Sequence, residues 1–292
     1  MATNNLGYQF KTATISTKLI VINAAIFLFA TLGAWVFETT PSILMKWFVL
    51  PTEFNAFLLQ IWSVLTYSFL HFGFWHVFWN MLMLYWFGQY VLNLFTEKRF
   101  LTIYLLGAIC GGFLFVLAYN LFPVLSGQLG YLVGASAAVL AIVIFIAAYT
   151  PNAEVRIFVL TVKLWQIGVF MVLMDLVQIP TSGNAGGLIA HMGGAIFGYL
   201  YAIQLKKGKD IGAWFEKLMD GVMAIFKPKK KSPLRTVHKS KTPIKTAKKT
   251  AASSVKSPNQ KQIDAILDKI SKSGYESLTK EEKDFLFKAG RE

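Results

Sequence analysis

Residues 130–149 read GYLVGASAAVLAIVIFIAAY: twenty residues without a charge, one serine (Ser136), and glycine or alanine at every fourth place, Gly130, Gly134 and Ala138. A hydrocarbon core about 30 Å thick takes roughly 20 helical residues to cross, so this stretch has the length and chemistry of a membrane-spanning helix. Five other runs are similarly apolar: 19–37, 75–95, 100–122, 157–179, which carries Lys163 and Asp175 inside it, and 186–205. They lack the two-residue alternation of barrel strands, and only helices or closed barrels satisfy their backbone in lipid. The expected fold is an all-α membrane protein with six transmembrane helices over 19–205. Basic residues Lys11 and Lys18 precede the first run, but its length exceeds a signal-peptide core, so an uncleaved helix is expected.

Charge divides the chain. Of 292 residues, 15% are charged, against about a quarter in soluble domains, and the net charge is +14. Residues 1–205 hold 7 Lys/Arg and 5 Asp/Glu, whereas 206–292 hold 22 and 10, a balance of +12. Seven Trp and 21 Phe in the nearly charge-free residues 1–205 exclude a simple nucleic-acid binder, and Cys110, the one cysteine, excludes a disulfide scaffold. Lys/Arg in the connections set the orientation: Lys11, Lys18, Lys98, Arg99, Arg156 and the tail face the cytoplasm, with Lys46 alone on the outer side. Residues 1–18 and both termini are then cytoplasmic. The long apolar connection 38–74 reads equally well as an outer-leaflet interfacial segment or as a loop packed on the bundle.

Polar side chains inside apolar spans are costly and need a reason. Three spans that start outside carry His76 and Asn80, Ser136, and His191. Counted from Tyr131 and Gly186, where their spans begin, Ser136 and His191 each lie five residues in, roughly 7–8 Å below the outer boundary. Asn80 follows His76 by one turn, on the same face. Small residues at four-residue spacing, Gly130, Gly134 and Ala138 against Ala190, Gly194 and Gly198, let the two helices approach closely; such stripes also serve ordinary packing. The convergence points to nucleophilic catalysis: Ser136 attacks, His191 takes its proton, and His76, Asn80 and the Ser136 N–H hold the oxyanion. Asp175, near the outer end of the fifth span, is conceivable as an orienter of the histidine, yet such a residue more often lines a polar cleft. A Ser–His dyad is the simpler expectation.

Gly134-Ala135-Ser136-Ala137, Ala190-His191-Met192-Gly193-Gly194 and His76-x-x-x-Asn80, with the stretch LTYSFLHFGFWHVFWNMLMLYWFG at 65–88, resemble the rhomboid family of intramembrane serine proteases over about residues 15–205. The resemblance implies Ser136 as nucleophile, His191 as base, His76 and Asn80 in the oxyanion hole, transmembrane protein substrates cut near their outer boundary, and no metal or cofactor. It places the chain in a bacterial inner membrane. His71 matches a structural position. Two departures stand out: Ala137 where many members have Gly, and Trp62-Ser63 where many bacterial members have Trp-Arg. A non-catalytic rhomboid-fold chaperone that holds membrane clients is the alternative.

Past 205 the pattern changes. Residues 206–226 have helical apolar spacing and read as an amphipathic juxtamembrane helix. The Lys-, Pro- and Ser-rich stretch 227–258 reads as a disordered linker whose lysines attract anionic lipid rather than nucleic acid. Residues 259–292 form a small helical hairpin: Gly274 ends one helix and Thr279-Lys280-Glu281-Glu282 opens another as a capping box, with an unidentified docking partner. This segment resembles a short module of Bacteroidetes rhomboids.

Overall fold

The apolar runs become helices whose ends are set by local caps. In the computed structural model, residues 5–157, 159–226 and 258–289 are described. Helix α1 spans Leu6–Thr12 and α2 spans Ile15–Val36, opened by the Thr14 hydroxyl. The connection after it folds into α3 (Pro41–Leu44), α4 (Phe54–Leu59), α5 (Ser63–Thr66) and a 3₁₀ turn at Tyr67–Phe69. Then come α6 (Phe74–Leu92), α7 (Glu97–Leu121), α8 (Ser136–Tyr149), α9 (Leu164–Gln178) and α10 (Ala185–Lys206). Helix α11 covers Ala213–Phe226.

Helices α2, α6, α7, α8, α9 and α10, the six long helices of the bundle, alternate in direction. Ser16 at the start of α2 donates to Leu84 O late in α6, and Gly88 of α6 lies against Phe100 at the start of α7. Gly107 and Gly111 of α7 meet Ala141 and Ala137 of α8 in reverse order, and Gly168 of α9 meets Ala147 of α8. Among the described residues, three helices are long and apolar enough to cross a membrane by length and composition: Ile15–Val36, Glu97–Leu121 and Ala185–Lys206.

Helix α8 is the centre. Every residue from Ala137 to Ala147 is buried, so it needs no polar face. Gly194 of α10 sits on the carbonyl of Ala137, and Gly198 one turn later on that of Ala141; any side chain there would strike backbone. The partners of the α10 glycines are therefore Ala137 and Ala141. Gly130 and Gly134, expected within this seam, lie ahead of the helix. The methyl of Ala137 faces Gly111 of α7, which has no side chain to oppose it. The Ala137 departure is thus absorbed by the neighbouring helix.

Two expected helical stretches are partly extended instead. Residues 131–135 are not helical: Tyr131–Leu132 (β2) pairs antiparallel with Leu50–Pro51 (β1), and Gly134 has φ +120°, outside the helical region. Residues 154–163 form a hairpin, β3 (Glu154–Ile157) with β4 (Leu160–Lys163), so the fifth helix starts at Leu164 and Lys163 stands before it. Lys163 donates its N–H to Gln166 Oε1 at 2.8 Å, which fixes that start. The β-branched residues Val155, Ile157, Val159, Thr161 and Val162 favour this ladder over a continued helix.

The connection 38–74 turns Phe57 and Tyr67 inward and Trp47, Leu59, Ile61 and Trp62 outward. Three side chains bind it to itself: Trp62 Nε1 donates to Trp47 O (2.8 Å), Thr66 Oγ1 to Phe48 O (2.8 Å) and Gln60 Nε2 to Val49 O (2.9 Å). Ser63 is fully buried beside them.

The chain divides into two units, residues 1–229 and 230–292. The linker expected over 227–258 falls outside the described residues apart from Pro258. In the second unit α12 (Pro258–Ser273) ends at Gly274, φ +77°, followed by a 3₁₀ turn and α13 (Lys280–Ala289). Thr279 N–H donates to Glu282 Oε2 (2.8 Å) and Glu282 N–H to Thr279 Oγ1 (3.4 Å), a reciprocal cap. Lys269 of α12 bridges to Glu282 at 2.8 Å. Its hydrogen bond, with the Thr279 amide, holds the Glu282 carboxyl below its ordinary pKa.

Candidate active site

The site grows out of the break before α8. A chain that continued as helix through 131–135 would bury those amides; the extended segment spends them elsewhere. Gly134 N–H donates to Tyr67 O (3.0 Å), and Ala135 N–H donates to His71 Nε2 (3.3 Å). His71 is fully buried, and because its Nε2 accepts, its proton resides on Nδ1. It holds the segment in front of Ser136 from behind, and its ring meets that of His76 edge-on at 4.9 Å.

Ser136 is the first residue of α8, not the sixth residue of a helix that starts at Tyr131, as the apolar run predicts. The first amide consumed within the helix is that of Val139, to Ala135 O at 2.9 Å. The N–H groups of residues 136–138 have no acceptor inside the helix, which is the normal condition of a helix N-terminus and a ready donor set for an anion.

His191 is the seventh residue of α10, which the Asn184 side chain opens by accepting from Gly187 N–H at 3.3 Å. The seam fixes its level: Gly194 opposes Ala137 and Gly198 opposes Ala141, so His191 stands opposite residue 134. That is two residues, about 3 Å, from the level of Ser136. His76 is at the same level, because a methyl group on Gly134 would lie against its ring. Ser136, His191, His76 and Asn80 all line one cavity of about 500 Å³. Among the described residues Ser136 is not hydrogen-bonded to His191; catalytic pairs often close only with substrate in place. Asn80, mostly buried, donates one N–H to His76 O at 2.9 Å and keeps the other.

The structure also brings Asp175 to the histidine. Asp175, in the last turn of α9, lies in the same cavity with its Oδ2 2.9 Å from His191 Nδ1. It stands sixteen residues from His191 across a turn, a spacing without a recognisable local signature.

Residues 58–208 match the family model of the Rhomboid domain, and residues 253–288 match a family of unknown function, DUF6576. Among similar proteins, Presenilin-associated rhomboid-like protein A, mitochondrial, of Danio rerio is 26% identical over 188 residues, 63% of this chain and 46% of that protein. Rhomboid protein 1, mitochondrial, of Saccharomyces cerevisiae is 26% identical over 208 residues, 68% of this chain and 57% of that protein. RHOMBOID-like protein 12, mitochondrial, of Arabidopsis thaliana is 29% identical over 163 residues, 51% and 48% respectively. The chain spans about half the length of the curated relatives it matches.

Proposed function

The chain belongs to the rhomboid family, and on that premise we propose that it is an intramembrane serine endopeptidase that cleaves transmembrane protein substrates near the outer membrane boundary. It is a multi-pass integral membrane protein. The observation that carries the proposal is the cavity: the nucleophile candidate at a helix N-terminus, a histidine about 3 Å from its level, and two further donors, His76 and Asn80, on the same space.

In this reading Ser136 Oγ attacks the scissile carbonyl carbon while His191 Nε2 takes the hydroxyl proton. The oxyanion is met by the Ser136 N–H, the free N–H of Asn80 and the His76 ring. Collapse breaks the C–N bond, and His191 passes its proton to the leaving amine. Water then attacks the acyl-serine ester, gives its proton to His191, and releases the acid as Ser136 is restored.

All six long helices cross the membrane in this proposal, with Lys98, Arg99, Arg156 and both termini on the cytoplasmic side. The length of α8 supports the depth of the site. Fourteen residues rise about 21 Å, some 9 Å short of a 30 Å core, so Ser136 starts inside the hydrocarbon layer while Tyr149 reaches the other face. The compartment proposed is a bacterial inner membrane, with the basic stretch after α11 on anionic lipid. The named relatives above are mitochondrial.

A serine-reactive fluorophosphonate tests the reading. Purified full-length protein in lipid incorporates label, and Ser136→Ala incorporates none. Folded wild-type protein that takes no label, or a Ser136→Ala variant that labels equally, leaves a client-holding protein of the same fold in its place.

A further inference from the structure

We propose that Asp175 is the positioning residue for His191, so that the site operates as a serine–histidine–aspartate triad rather than a dyad; this rests on the protease reading above. The geometry is direct. Asp175 Oδ2 lies 2.9 Å from His191 Nδ1, and both side chains are mostly buried, 16% and 21% exposed. Both face the cavity that holds Ser136.

An ionised carboxylate can only accept a hydrogen bond. At this contact it therefore places the imidazole proton on Nδ1 and leaves Nε2 with its lone pair, the form able to take a proton from a hydroxyl. It also fixes the ring plane, since a flip would turn a carbon toward the carboxylate. When Nε2 accepts the serine proton, the ring becomes a cation beside an anion already in place, with no solvent needing to reorganise. The proton moves from Ser136 Oγ to Nε2 and onward to the leaving amine, and Asp175 keeps its charge throughout.

A rival role is purely mechanical. The fully buried residues of α9 are Leu164 and Gly168, both in its opening turns; Ile167, Met171 and Val172 are half-buried, and Phe170, Leu173 and Val177 are exposed. The Asp175–His191 bond is thus also a tie between the far half of α9 and α10. The two roles part on chemistry. Asparagine keeps the size of Asp175 and can still bond to the ring, but its amide can donate as well as accept, which releases the tautomer.

The test measures fluorophosphonate labelling of the full chain in lipid, separating the maximal rate from the half-saturating concentration. Expected for Asp175→Asn is a fall of about 10–100-fold in maximal rate, with half-saturation unchanged and Asp175→Glu recovering part of the rate. Imidazole ¹⁵N spectra supply an independent readout. Wild-type His191 is expected as the single Nδ1–H form, and Asp175→Asn as a mixture of both tautomers. A variant that labels at the wild-type rate, or equal losses in Asp175→Asn and Asp175→Glu with weaker half-saturation and an unchanged tautomer, overturns the proposal in favour of the mechanical tie. Folded wild-type protein without label overturns the protease reading itself, and the triad with it.

Discussion

Two polar clusters stand on α10, about ten residues or 15 Å apart, and they are built on opposite principles. Around Tyr201 the charges face one another. Asp210 accepts from Arg99, from the Tyr201 hydroxyl (2.8 Å) and from the Gly212 N–H (3.0 Å), while Arg99 Nε lies 3.6 Å from Glu216 and Lys98 pairs with Asp220. Around His191 the polar groups face a space instead. His191, Asp175, His76, Asn80 and Ser136 surround about 500 Å³, and the helix-end amides beside them have bonding capacity left over. The first cluster fastens α11 to α7 and α10. The second has partners waiting for something to arrive. Polar residues in this apolar bundle therefore act as a fastening in one place and line an open cavity in the other.

The largest expected effect lies in the open cluster. Gly134→Ala puts a side chain at φ +120°, where residues with a Cβ are strained, and drives a methyl into the His76 ring. Strain of about 1–3 kcal/mol plus a displaced His76 should lower fluorophosphonate labelling by on the order of 100-fold. The Arg99–Asp210 end is untouched, so the loss should appear in labelling per folded molecule. Labelling at the wild-type rate means that the Gly134–His76 contact does not shape the site.

The closed cluster should respond in the other currency. Arg99→Ala leaves Asp210 one charged donor short in a site about three-quarters buried, which costs on the order of 2 kcal/mol. Thermal unfolding in detergent reads the loss, and labelling per folded molecule stays at the wild-type value. A labelling defect without lower stability breaks the division between the two clusters.

The contrast also explains what the sequence made legible. Ser136, His191, His76 and Asn80 were readable because each is a polar exception in an apolar run, and exceptions in lipid are expensive. The family follows from the same residues. The start of α8 was not readable: hydropathy counts Tyr131, Leu132 and Val133 as span, since a residue paired to Pro51 in a ladder is as apolar as one in a helix. The same blindness hid the hairpin at 154–163. Gly134 was seen as one member of a packing stripe, whereas its role is a backbone turn that only its φ reveals. The Asp175–His191 bond depends on how α9 leans on α10, which no spacing rule encodes.

The smallest effect gives the finest cut. Tyr201 is fully buried, with its ring 5.4 Å from that of Phe145 and 5.7 Å from that of Phe197. Tyr201→Phe keeps those contacts and removes one hydroxyl. Asp210 retains Arg99 and the Gly212 amide, so its charge stays matched, and the expected loss is that of one hydrogen bond, about 1 kcal/mol. The two inner variants share a partner and should not add. With Arg99 gone, the tyrosine is one of the few donors left to Asp210, and its removal should then cost more than it does in the wild-type background. A double-mutant cycle on thermal unfolding measures that coupling. Strict additivity would mean that Arg99 and Tyr201 do not act through Asp210, and the closed cluster would be two separate contacts rather than one fastening.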